Sequence, residues 1–413
     1  MIDNKMKINT LVLLFLFLIT ACNTKKSRKK EISSDLDSTN VYIGPNHSHY
    51  TKFSDYNFTT ERQWDSLNDI TRHFKSAPGY KIHKDYKTFG WHIFSKGSAY
   101  KSYNFSLLWG VSYFSYMVNA ETGSYDNIHQ WKTTALVDSA KVKNCKVFLT
   151  VSNFGKKRNA QFLKNPKAQK TLADSLSVLL DLRKANGINI DFEGVSSKNK
   201  REFNQFIVTL SDRLHKINPD YMISVALYAV DYHKVFDIKT IDSSVDFYTL
   251  MGYDYYGGFS KHAGPVSPLK SSKIWGIHSV ESSVDYYLNE SVKPNKLIVG
   301  LPYYGDKWKT ENTSIPSKAE KFLSHDMYNT TRELLDAKKY RINFDTISST
   351  QYGIYEEKGV TKQLWFDDSL SLSYKYDWIK HKKLAGVGIW ALGYDHGYTE
   401  LWELMADKFG QKQ

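Results

Sequence analysis

The sequence predicts an α/β fold, a (β/α)8 TIM barrel over residues 87–413 with a short insertion between its seventh strand and seventh helix. Short apolar runs alternate with longer amphipathic segments throughout this region. Two runs, 225–227 and 297–299, are apolar without interruption, as is typical of parallel strands buried on both faces. The eight runs are 88–93, 109–118, 146–151, 187–193, 222–228, 245–253, 296–303 and 386–390. The clearest helical segments are 174–185, 199–217 and 369–382.

The main alternative architecture is an open, doubly wound parallel sheet. That fold carries a glycine-rich phosphate-binding turn after its first strand, and residues 89–92 (Phe-Gly-Trp-His) do not form one. In a closed barrel, the active site lies where the carboxyl ends of the strands meet. The strand ends are therefore the place to look for functional side chains.

The N-terminal residues resemble an export signal. Lys5 and Lys7 precede an unbroken apolar run, 11–19, which is too short to span a bilayer as a permanent helix. The run ends in 19–22 (Ile-Thr-Ala-Cys), which resembles the lipobox of bacterial lipoproteins and would make Cys22 the lipid attachment point. The alternative is a plain secretory signal with an incidental cysteine. Both interpretations place the mature protein outside the cytoplasm, and we expect a lipid-anchored protein of the bacterial cell envelope.

The net charge of +13 is concentrated near this end of the chain. Residues 1–30 hold seven basic side chains and one acid, so six of the thirteen charges lie there. The basic run at 25–30 suits an anionic membrane surface or envelope polymer. A nucleic acid partner is not expected, because no basic helix or base-stacking motif is present.

The cysteine and histidine pattern points away from disulfides and metals. Cys22 and Cys145 are the only cysteines, so lipidation of the first would leave no disulfide, and Cys145 is expected to be a core residue. The histidines are scattered without zinc spacing. Residues 23–86 form a polar N-terminal segment, in which 23–50 is expected to be a tether and 59–74 to hold a short amphipathic helix. The barrel domain is expected to begin after position 86.

The run 187–193 has an unusual distribution of polar residues. Its apolar residues alternate with Asn189, Asp191 and Glu193, so the polar side chains share one face of a strand. An ordinary half-buried strand matches the same pattern, but buried carboxylates are costly unless they are paired or used. Glu193 closes the fourth strand of the barrel, which places its carboxyl group over the barrel mouth.

Other polar and aromatic residues gather at the remaining strand ends. Residues 152–155 follow the third strand, Tyr253 and Asp254 end the sixth, Tyr304 follows the seventh and Trp390 ends the eighth. Each aromatic residue alone is better explained by core packing. Their recurrence at strand ends beside acids indicates a carbohydrate-binding cleft.

Several of these stretches together resemble one known family. Residues 186–193 resemble the DxxDxDxE signature of glycoside hydrolase family 18, the chitinase family. Five further stretches resemble other elements of that family in order: 111–116, 150–155, 251–254, 296–305 and 386–390. Asn186 and Asn189 replace the first two aspartates of the signature, whereas Asp191 and Glu193 keep the last two acidic positions. Asn153 and Phe154 depart from the family's SxGG element.

The resemblance implies a retaining, substrate-assisted mechanism that differs from the usual two-carboxylate scheme. It assigns catalytic roles to Glu193 as acid and base, to Asp191 as the acceptor of the acetamido N–H, and to Tyr253 as a donor to the acetamido carbonyl. Asn189 is expected to hydrogen-bond Asp191 when the aspartate side chain faces inward. The substrate-binding residues implied are Asn189, Asp254, Trp390, Phe114 and Tyr304. No metal or organic cofactor is expected.

The substrate implied by the resemblance carries an N-acetylglucosamine at the cleaved bond. Chitin and chitooligosaccharides fit, and so does peptidoglycan, because residues 341–365 resemble the insertion of spore-cortex and muramidase-like relatives. The cores of N-glycans are a third option. The chain between 305 and 363 is short for the α+β insertion of processive chitinases, so we expect a shallower groove. A lectin that has lost turnover is the alternative function class, and a monomer is the expected state.

Overall fold

The computed structural model describes Phe53, residues 56–337 and residues 340–413. The predicted signal, Cys22 and the tether at 23–50 lie outside the described residues. The strands are β1 (Tyr80–Ile82), β2 (Lys87–Ile93), β3 (Gly110–Val118), β4 (Tyr125–Asn127), β5 (Lys146–Phe154), β6 (Gly187–Glu193), β7 (Met222–Leu227), β8 (Phe247–Met251), β9 (His262–Ala263), β10 (Leu297–Pro302), β11 (Tyr304–Thr310), β12 (Ser317–Met327), β13 (Arg341–Asp345), β14 (Thr350–Glu357), β15 (Val360–Phe366), β16 (Gly386–Trp390) and β17 (Gly410–Lys412). The α-helices are α1 (Glu61–Leu67), α2 (Leu136–Val142), α3 (Lys156–Leu163), α4 (Pro166–Arg183), α5 (Lys200–Ile217), α6 (Ile238–Ile241), α7 (Val280–Asn289), α8 (Tyr328–Asp336), α9 (Ser369–His381) and α10 (Glu400–Phe409).

Eight of these strands close into a parallel barrel, which confirms the predicted fold. The order around the barrel is β2, β3, β5, β6, β7, β8, β10 and β16, and β16 pairs with β2 to close the ring. All eight pairings are parallel. The helices α4, α5 and α9 correspond to the three predicted helical segments.

The barrel interior is layered, and the layers determine where a site can form. At the bottom, the rings of Phe89, Phe148 and Phe247 pack with centroids 5.4–5.5 Å apart. One layer higher, Asn189 is paired in register with Thr150 on β5 and Ser224 on β7. Since side chains of a strand alternate between faces, Asp191 and Glu193 continue this inward-facing row toward the carboxyl ends of the strands.

The outward face of β6 anchors the strand against its helices. Phe192 packs on Phe162 and Phe206 at centroid distances of 5.6 and 5.2 Å. Full burial of one such side chain stabilises the fold by about 1.5–3 kcal/mol. Gly187 is required where the strand begins, because a Cβ there would lie 1.9 Å from the Met222 carbonyl oxygen. These constraints fix the register of the strand that carries both acids.

The insertion after the seventh barrel strand forms its own antiparallel sheet. Strands β11–β15 and helix α8 lie between β10 and α9, and β9 joins the sheet by pairing with β12. A second apolar cluster, which includes Trp275, Trp308 and Trp365, fills this unit. Among its described residues the insertion thus combines five strands and one helix around a small tryptophan-rich core, and the shallower groove expected from its length stays a prediction.

The N-terminal segment packs on the barrel from position 56 onward. Trp64 of α1 is fully buried, and its ring contacts Phe58 and Phe94 at centroid distances of 4.7 and 5.2 Å. Tyr80 of β1 pairs with Lys412 of β17 in an antiparallel bridge between the two ends of the described chain. The predicted helix at 59–74 is present but ends at Leu67.

Candidate active site

Asp191 and Glu193 lie at the carboxyl end of β6, and both are buried. Burial raises the pKa of Asp191 to about 7. Among the described residues, Asp191 Oδ1 has no hydrogen-bond partner. Both acids are close to Tyr253, whose pKa is raised by burial first and then by the charges of Asp191, Asp254 and Glu193. The structure thus brings together the three residues to which catalytic roles were assigned.

The main chain of Glu193 is held by the loop that follows β5. Gly155 N and Asn159 Nδ2 donate hydrogen bonds of 2.9 and 2.7 Å to the Glu193 carbonyl oxygen. Asn153 donates in turn to Asn159 Oδ1 at 2.8 Å, so the residue that departs from the SxGG pattern supports the same contact. Asn159 lies on α3, away from the signature, and no pattern in the sequence marks it as a site residue.

Tyr228 also holds the backbone near Glu193, through contacts with residues 192 and 195. Its hydroxyl donates a 2.6 Å hydrogen bond to the Phe192 carbonyl oxygen and accepts one of 3.3 Å from Val195 N. Tyr228 ended a predicted strand run, so the recurrence of aromatic residues at strand ends could have identified it. Together with Asn159, it fixes the position of the Glu193 backbone from two directions.

Asn189 lies beneath the acids, and both halves of its amide are used. Its Oδ1 accepts a 2.9 Å hydrogen bond from Trp91 Nε1, and its Nδ2 donates to Ser224 Oγ at 2.7 Å and to Thr249 Oγ1 at 3.4 Å. The expected hydrogen bond from Asn189 to Asp191 is therefore not formed in this structure. The physical reason is that the polar layer around Asn189 already satisfies its donor and its acceptor.

Aromatic rings form the floor of the site. The rings of Tyr253 and Trp390 are nearly parallel, with centroids 6.4 Å apart and 28° between their planes. Phe114 meets Trp390 edge-on at 5.1 Å, and Phe154 stacks beside Phe114 at 6.4 Å. Trp390 Nε1 is buried and has no hydrogen-bond partner within the described part of the chain. Such a floor suits the apolar face of a sugar ring and leaves an N–H for a polar group.

Asp254 and Tyr304 form a linked polar group next to Tyr253, whose ring centroid lies 6.3 Å from that of Tyr304. Asp254 is buried, and the Tyr304 hydroxyl donates a hydrogen bond to its Oδ1. Burial raises the pKa of Asp254 to about 7, although the charge of His325 and the Tyr304 hydrogen bond act against that rise. His325 itself pairs with Asp306, which is fully buried on β11. The sequence did not single out this second pair.

The described residues give no sign of a metal centre. No group of three or more His, Cys, Asp or Glu side chains among them could hold an ion. None of the helices in the described ranges is long and apolar enough to cross a membrane.

A closed parallel barrel with acids and aromatic rings at the carboxyl ends of its strands defines a barrel enzyme with a carbohydrate-type cleft. The chain belongs to family 18 of the glycosyl hydrolases, since the model described as Glycosyl hydrolases family 18 matches residues 46–395. It is therefore a glycosidase, as the resemblance implied.

Bacterial proteins are among the relatives in sequence. The chain is 28% identical over 267 residues to the uncharacterized glycosylase YvbX of Bacillus subtilis (strain 168), which covers 62% of this chain and 73% of that protein. It is 25% identical over 236 residues to the cortical fragment-lytic enzyme of Bacillus anthracis. That match covers 54% of this chain and 49% of the relative, so it spans about half of that protein's length.

Solved structures share the fold. A family 18 chitinase from Cycas revoluta, in complex with (GlcNAc)3, matches with a TM-score of 0.69 and 18% identity over 78% of this chain and 99% of that chain. A family 18 N-acetylglucosaminidase from Paenibacillus barengoltzii matches with a TM-score of 0.67 and 19% identity over 78% and 99%. At these identities the similarity establishes the fold alone.

Proposed function

We propose that this protein hydrolyses the β-1,4 bond that follows an N-acetylglucosamine residue, with retention of configuration and with the help of the substrate's own acetamido group. The observation that carries the proposal is the placement of Asp191 and Glu193 on one face of β6, both buried and both close to Tyr253. The floor formed by Trp390 lies beside them.

The chemistry follows from these positions. Glu193 donates its proton to the glycosidic oxygen while the acetamido oxygen attacks the anomeric carbon, so the leaving sugar departs and an oxazolinium ion forms. Asp191 accepts a hydrogen bond from the acetamido N–H and balances the positive charge. Tyr253 donates to the acetamido carbonyl oxygen and orients it. Glu193, now ionised, removes a proton from a water molecule. This water attacks the anomeric carbon and opens the oxazolinium ring.

The substrate proposed is a glycan that contains N-acetylglucosamine, namely chitin or its oligosaccharides, with peptidoglycan or an N-glycan core as the alternatives. The complex of the structurally similar Cycas revoluta chitinase with (GlcNAc)3 supports the first. The similarity to a cortical fragment-lytic enzyme supports peptidoglycan. Asp254, Tyr304, Phe114 and Asn189 would surround or support the sugar at the cleaved bond.

The test is the release of reducing ends from chitotetraose and from purified peptidoglycan. The Glu193→Gln variant should lose at least 100-fold in turnover, since general acid–base catalysis contributes about 10²–10⁴-fold. Glu290→Gln, at an exposed position on the protein surface, is the matched control and should keep the wild-type rate. Binding of glycan without any wild-type turnover would overturn the proposal and indicate a lectin.

The location of the protein is also a proposal. The apolar run 11–19, residues 19–22 and the basic run 25–30 support a lipid on Cys22 that holds the protein in the bacterial envelope. Cys22→Ser should move the protein from the membrane pellet to the soluble fraction, and Cys145→Ala should not. The same proposal divides the chain into a signal at 1–22, an N-terminal segment at 23–86 and a barrel at 87–413. It also includes a monomeric state.

A further inference from the structure

Positive charge is concentrated at one end of the barrel, opposite the candidate active site. All eight barrel strands start at this end, so the connections that lead into neighbouring strands lie side by side. The connections into β16, β2, β5 and β6 together hold ten basic and two acidic side chains, and the one into β3, which completes the row, holds no charged side chain. The four charged connections are residues 380–386, 83–87, 141–146 and 181–186, and we call them the basic face.

The basic face accounts for the whole positive excess of the chain after the N-terminal basic run. Since residues 1–30 hold six of the thirteen net charges, residues 31–413 carry +7, whereas the basic face alone carries +8. The rest of 31–413 is therefore slightly negative. The helix dipole favours cations in the last turn of a helix, which explains Lys141 and Lys380. It does not explain Lys84 and Lys383, which lie outside the helices.

Contacts in the structure join the four connections into one surface. Lys87 N donates a 2.8 Å hydrogen bond to a carbonyl oxygen of the connection into β16. The Nζ of Lys141 donates to a carbonyl oxygen of the connection into β6. Between these two contacts, the centroid of the Trp109 ring lies 5.7 Å from Lys87 Nζ and 5.9 Å from Lys146 Nζ. The cations of the basic face are thus neighbours around one side of the barrel end.

Acidic side chains neutralise only part of this charge. Three cations of the basic face form ion pairs, and two of the acids involved, Asp138 and Asp285, lie outside the face. The pairs are Lys184–Asp181, Arg183–Asp138 and Lys382–Asp285, at 2.6, 3.2 and 3.0 Å. When the two outside acids are counted, the net charge of the face is still +6. Lys84, Lys143 and Lys383 are exposed and take their charge to the solvent.

Exposed apolar side chains lie among these lysines. Val142 at the end of α2 is 77% exposed, and Leu182 near the end of α4 is 56% exposed. Trp109 is partly exposed between two lysines. At the surface of a bilayer, apolar side chains enter the headgroup region while basic side chains meet anionic lipids. A polyanionic polymer in solution offers nothing for the apolar side chains, so the composition of the face favours a membrane.

We propose that the basic face binds the surface of an anionic lipid bilayer and holds the barrel with its mouth directed away from the membrane. Glu193 lies at the far end of β6, whose seven residues cover about 20 Å. The candidate active site then opens toward a polymer in the space beyond the membrane. The barrel itself makes this contact, so the proposal depends neither on the glycosidase activity nor on a lipid at Cys22.

The test is the rate at which single lysines of the full chain are acetylated, with and without added vesicles. Lys143 reports on the basic face, and Lys261, in the connection that leaves the carboxyl end of β8, reports on the mouth; both are exposed. Vesicles of phosphatidylglycerol and phosphatidylcholine should slow the acetylation of Lys143 about tenfold and leave that of Lys261 within about twofold. Vesicles of phosphatidylcholine alone should slow neither. An unchanged rate at Lys143, or equal slowing at both lysines, overturns the proposal.

Substitutions on the face test its charge. Each lysine near an anionic membrane surface contributes about fivefold in affinity. In Lys84→Gln/Lys383→Gln, the lipid concentration that half-protects Lys143 should therefore rise about 25-fold. Lys270→Gln/Lys273→Gln removes the same charge at two exposed positions in the connection after β8, and the value should stay within about twofold of the wild type. Equal shifts in the two double variants would overturn the assignment to this face.

The apolar side chains distinguish a membrane from a polyanionic polymer. Val142→Ser/Leu182→Ser keeps every charge of the face, and it should weaken the protection of Lys143 by anionic vesicles about tenfold, because less apolar surface is buried. Polyphosphate should protect Lys143 weakly, and to the same extent in the wild type and in this variant. If the variant binds vesicles like the wild type, or if polyphosphate protects as strongly as vesicles at equal negative charge, the partner is a polymer and the membrane contact is wrong.

Discussion

Trp91 Nε1 donates a 2.9 Å hydrogen bond to Asn189 Oδ1 inside the barrel, where both side chains are buried. This contact fixes the orientation of the amide, so that Nδ2 faces Ser224 Oγ at 2.7 Å. The residue at this position is therefore a neutral bridge between β2 and β7, one layer below Asp191. The replacement of a family aspartate by asparagine keeps an ionisable carboxyl group out of the layer directly below Asp191.

Loss of the bridge should destabilise the barrel. Asn189→Leu leaves Trp91 Nε1 and Ser224 Oγ buried without this partner, and each buried unsatisfied group costs about 1–3 kcal/mol. For the two groups together we expect the free energy of unfolding, measured by urea denaturation, to fall by about 2–6 kcal/mol. Asn295→Leu, at an exposed position, should change it by less than about 0.5 kcal/mol. Equal effects of the two substitutions would contradict the bridging role.

Asp191 should make stability depend on pH. Its pKa is about 7 in the folded protein, because burial disfavours the charged form, against about 3.9 in an unfolded chain. Between about pH 4 and 7 the unfolded chain releases this proton and the folded protein keeps it, so the contribution of Asp191 to stability falls as the pH rises and is constant above 7. Asp191→Asn should therefore stabilise the protein at pH 8, by at most about 4 kcal/mol, and have little effect at pH 4.

Urea denaturation at the two pH values measures this difference. The variant should at the same time lose activity, because it removes the carboxylate proposed to accept the acetamido N–H, and a gain of stability at a functional site often has this cost. Asp212→Asn, an exposed aspartate on α5, should show no such pH dependence. A stability gain that is equal at pH 4 and pH 8 would contradict the assignment of the raised pKa to Asp191.

Local patterns predicted the barrel strands well because each strand has its own signal. The observed bounds of β6 and β16 coincide with the predicted runs 187–193 and 386–390, where a strict alternation or a short apolar run leaves little choice. Helix α4 starts earlier than predicted, at Pro166, because Asn165 caps it by accepting a hydrogen bond from Ala168 N. Apolar periodicity alone does not reveal this start, which depends on the cap and on the proline that follows it.

The contacts between distant parts of the chain could not be predicted. Trp91 and Asn189 are far apart in sequence, and nothing in either local pattern indicates their hydrogen bond. Likewise, the polar composition of the N-terminal segment does not indicate that Trp64 is buried against Phe94. The sequence could identify the side chains at the strand ends, whereas their partners depend on how the barrel closes.

The hydrogen bond from Tyr304 should determine the pH at which the Asp254 carboxyl group ionises. This bond lowers the pKa of Asp254, which burial raises to about 7. In Tyr304→Phe the pKa should rise further, so fewer molecules hold the ionised carboxylate that accepts hydrogen bonds from the sugar. We expect the acidic limb of the kcat/KM profile to move to higher pH by about one pH unit.

The measurement is kcat/KM for chitotetraose between pH 4 and 9. Tyr374→Phe is the matched control, because this tyrosine is 52% exposed and should leave the profile in place. A uniform loss of rate at every pH, without movement of the limb, would mean that Tyr304 acts through packing alone.

The ion pair of Lys375 and Asp367 should hold the insertion to the barrel. Lys375 Nζ contacts both carboxylate oxygens of Asp367 at 2.5 Å, and both side chains are 1% exposed. Asp367 follows β15 of the insertion, and Lys375 lies on α9 of the barrel. Lys375→Met leaves a buried carboxylate without its cation, which costs about 3–5 kcal/mol in the free energy of unfolding. The double variant Lys375→Met/Asp367→Leu should recover most of this loss, because replacement of a whole buried pair by apolar groups is often neutral.

The stability that is lost when this ion pair is broken should depend on pH, as measured by urea denaturation. The pKa of Asp367 is about 6, raised by burial and lowered by Lys375, so removal of the lysine raises it further. At pH 5 the folded variant can hold Asp367 protonated at little cost, whereas at pH 8 an ionised carboxylate would be buried alone. Lys375→Met should therefore lose more stability at pH 8 than at pH 5, and the double variant should show no such difference. Lys170→Met, which removes an exposed ion pair to Asp174, should cost less than about 1 kcal/mol at either pH.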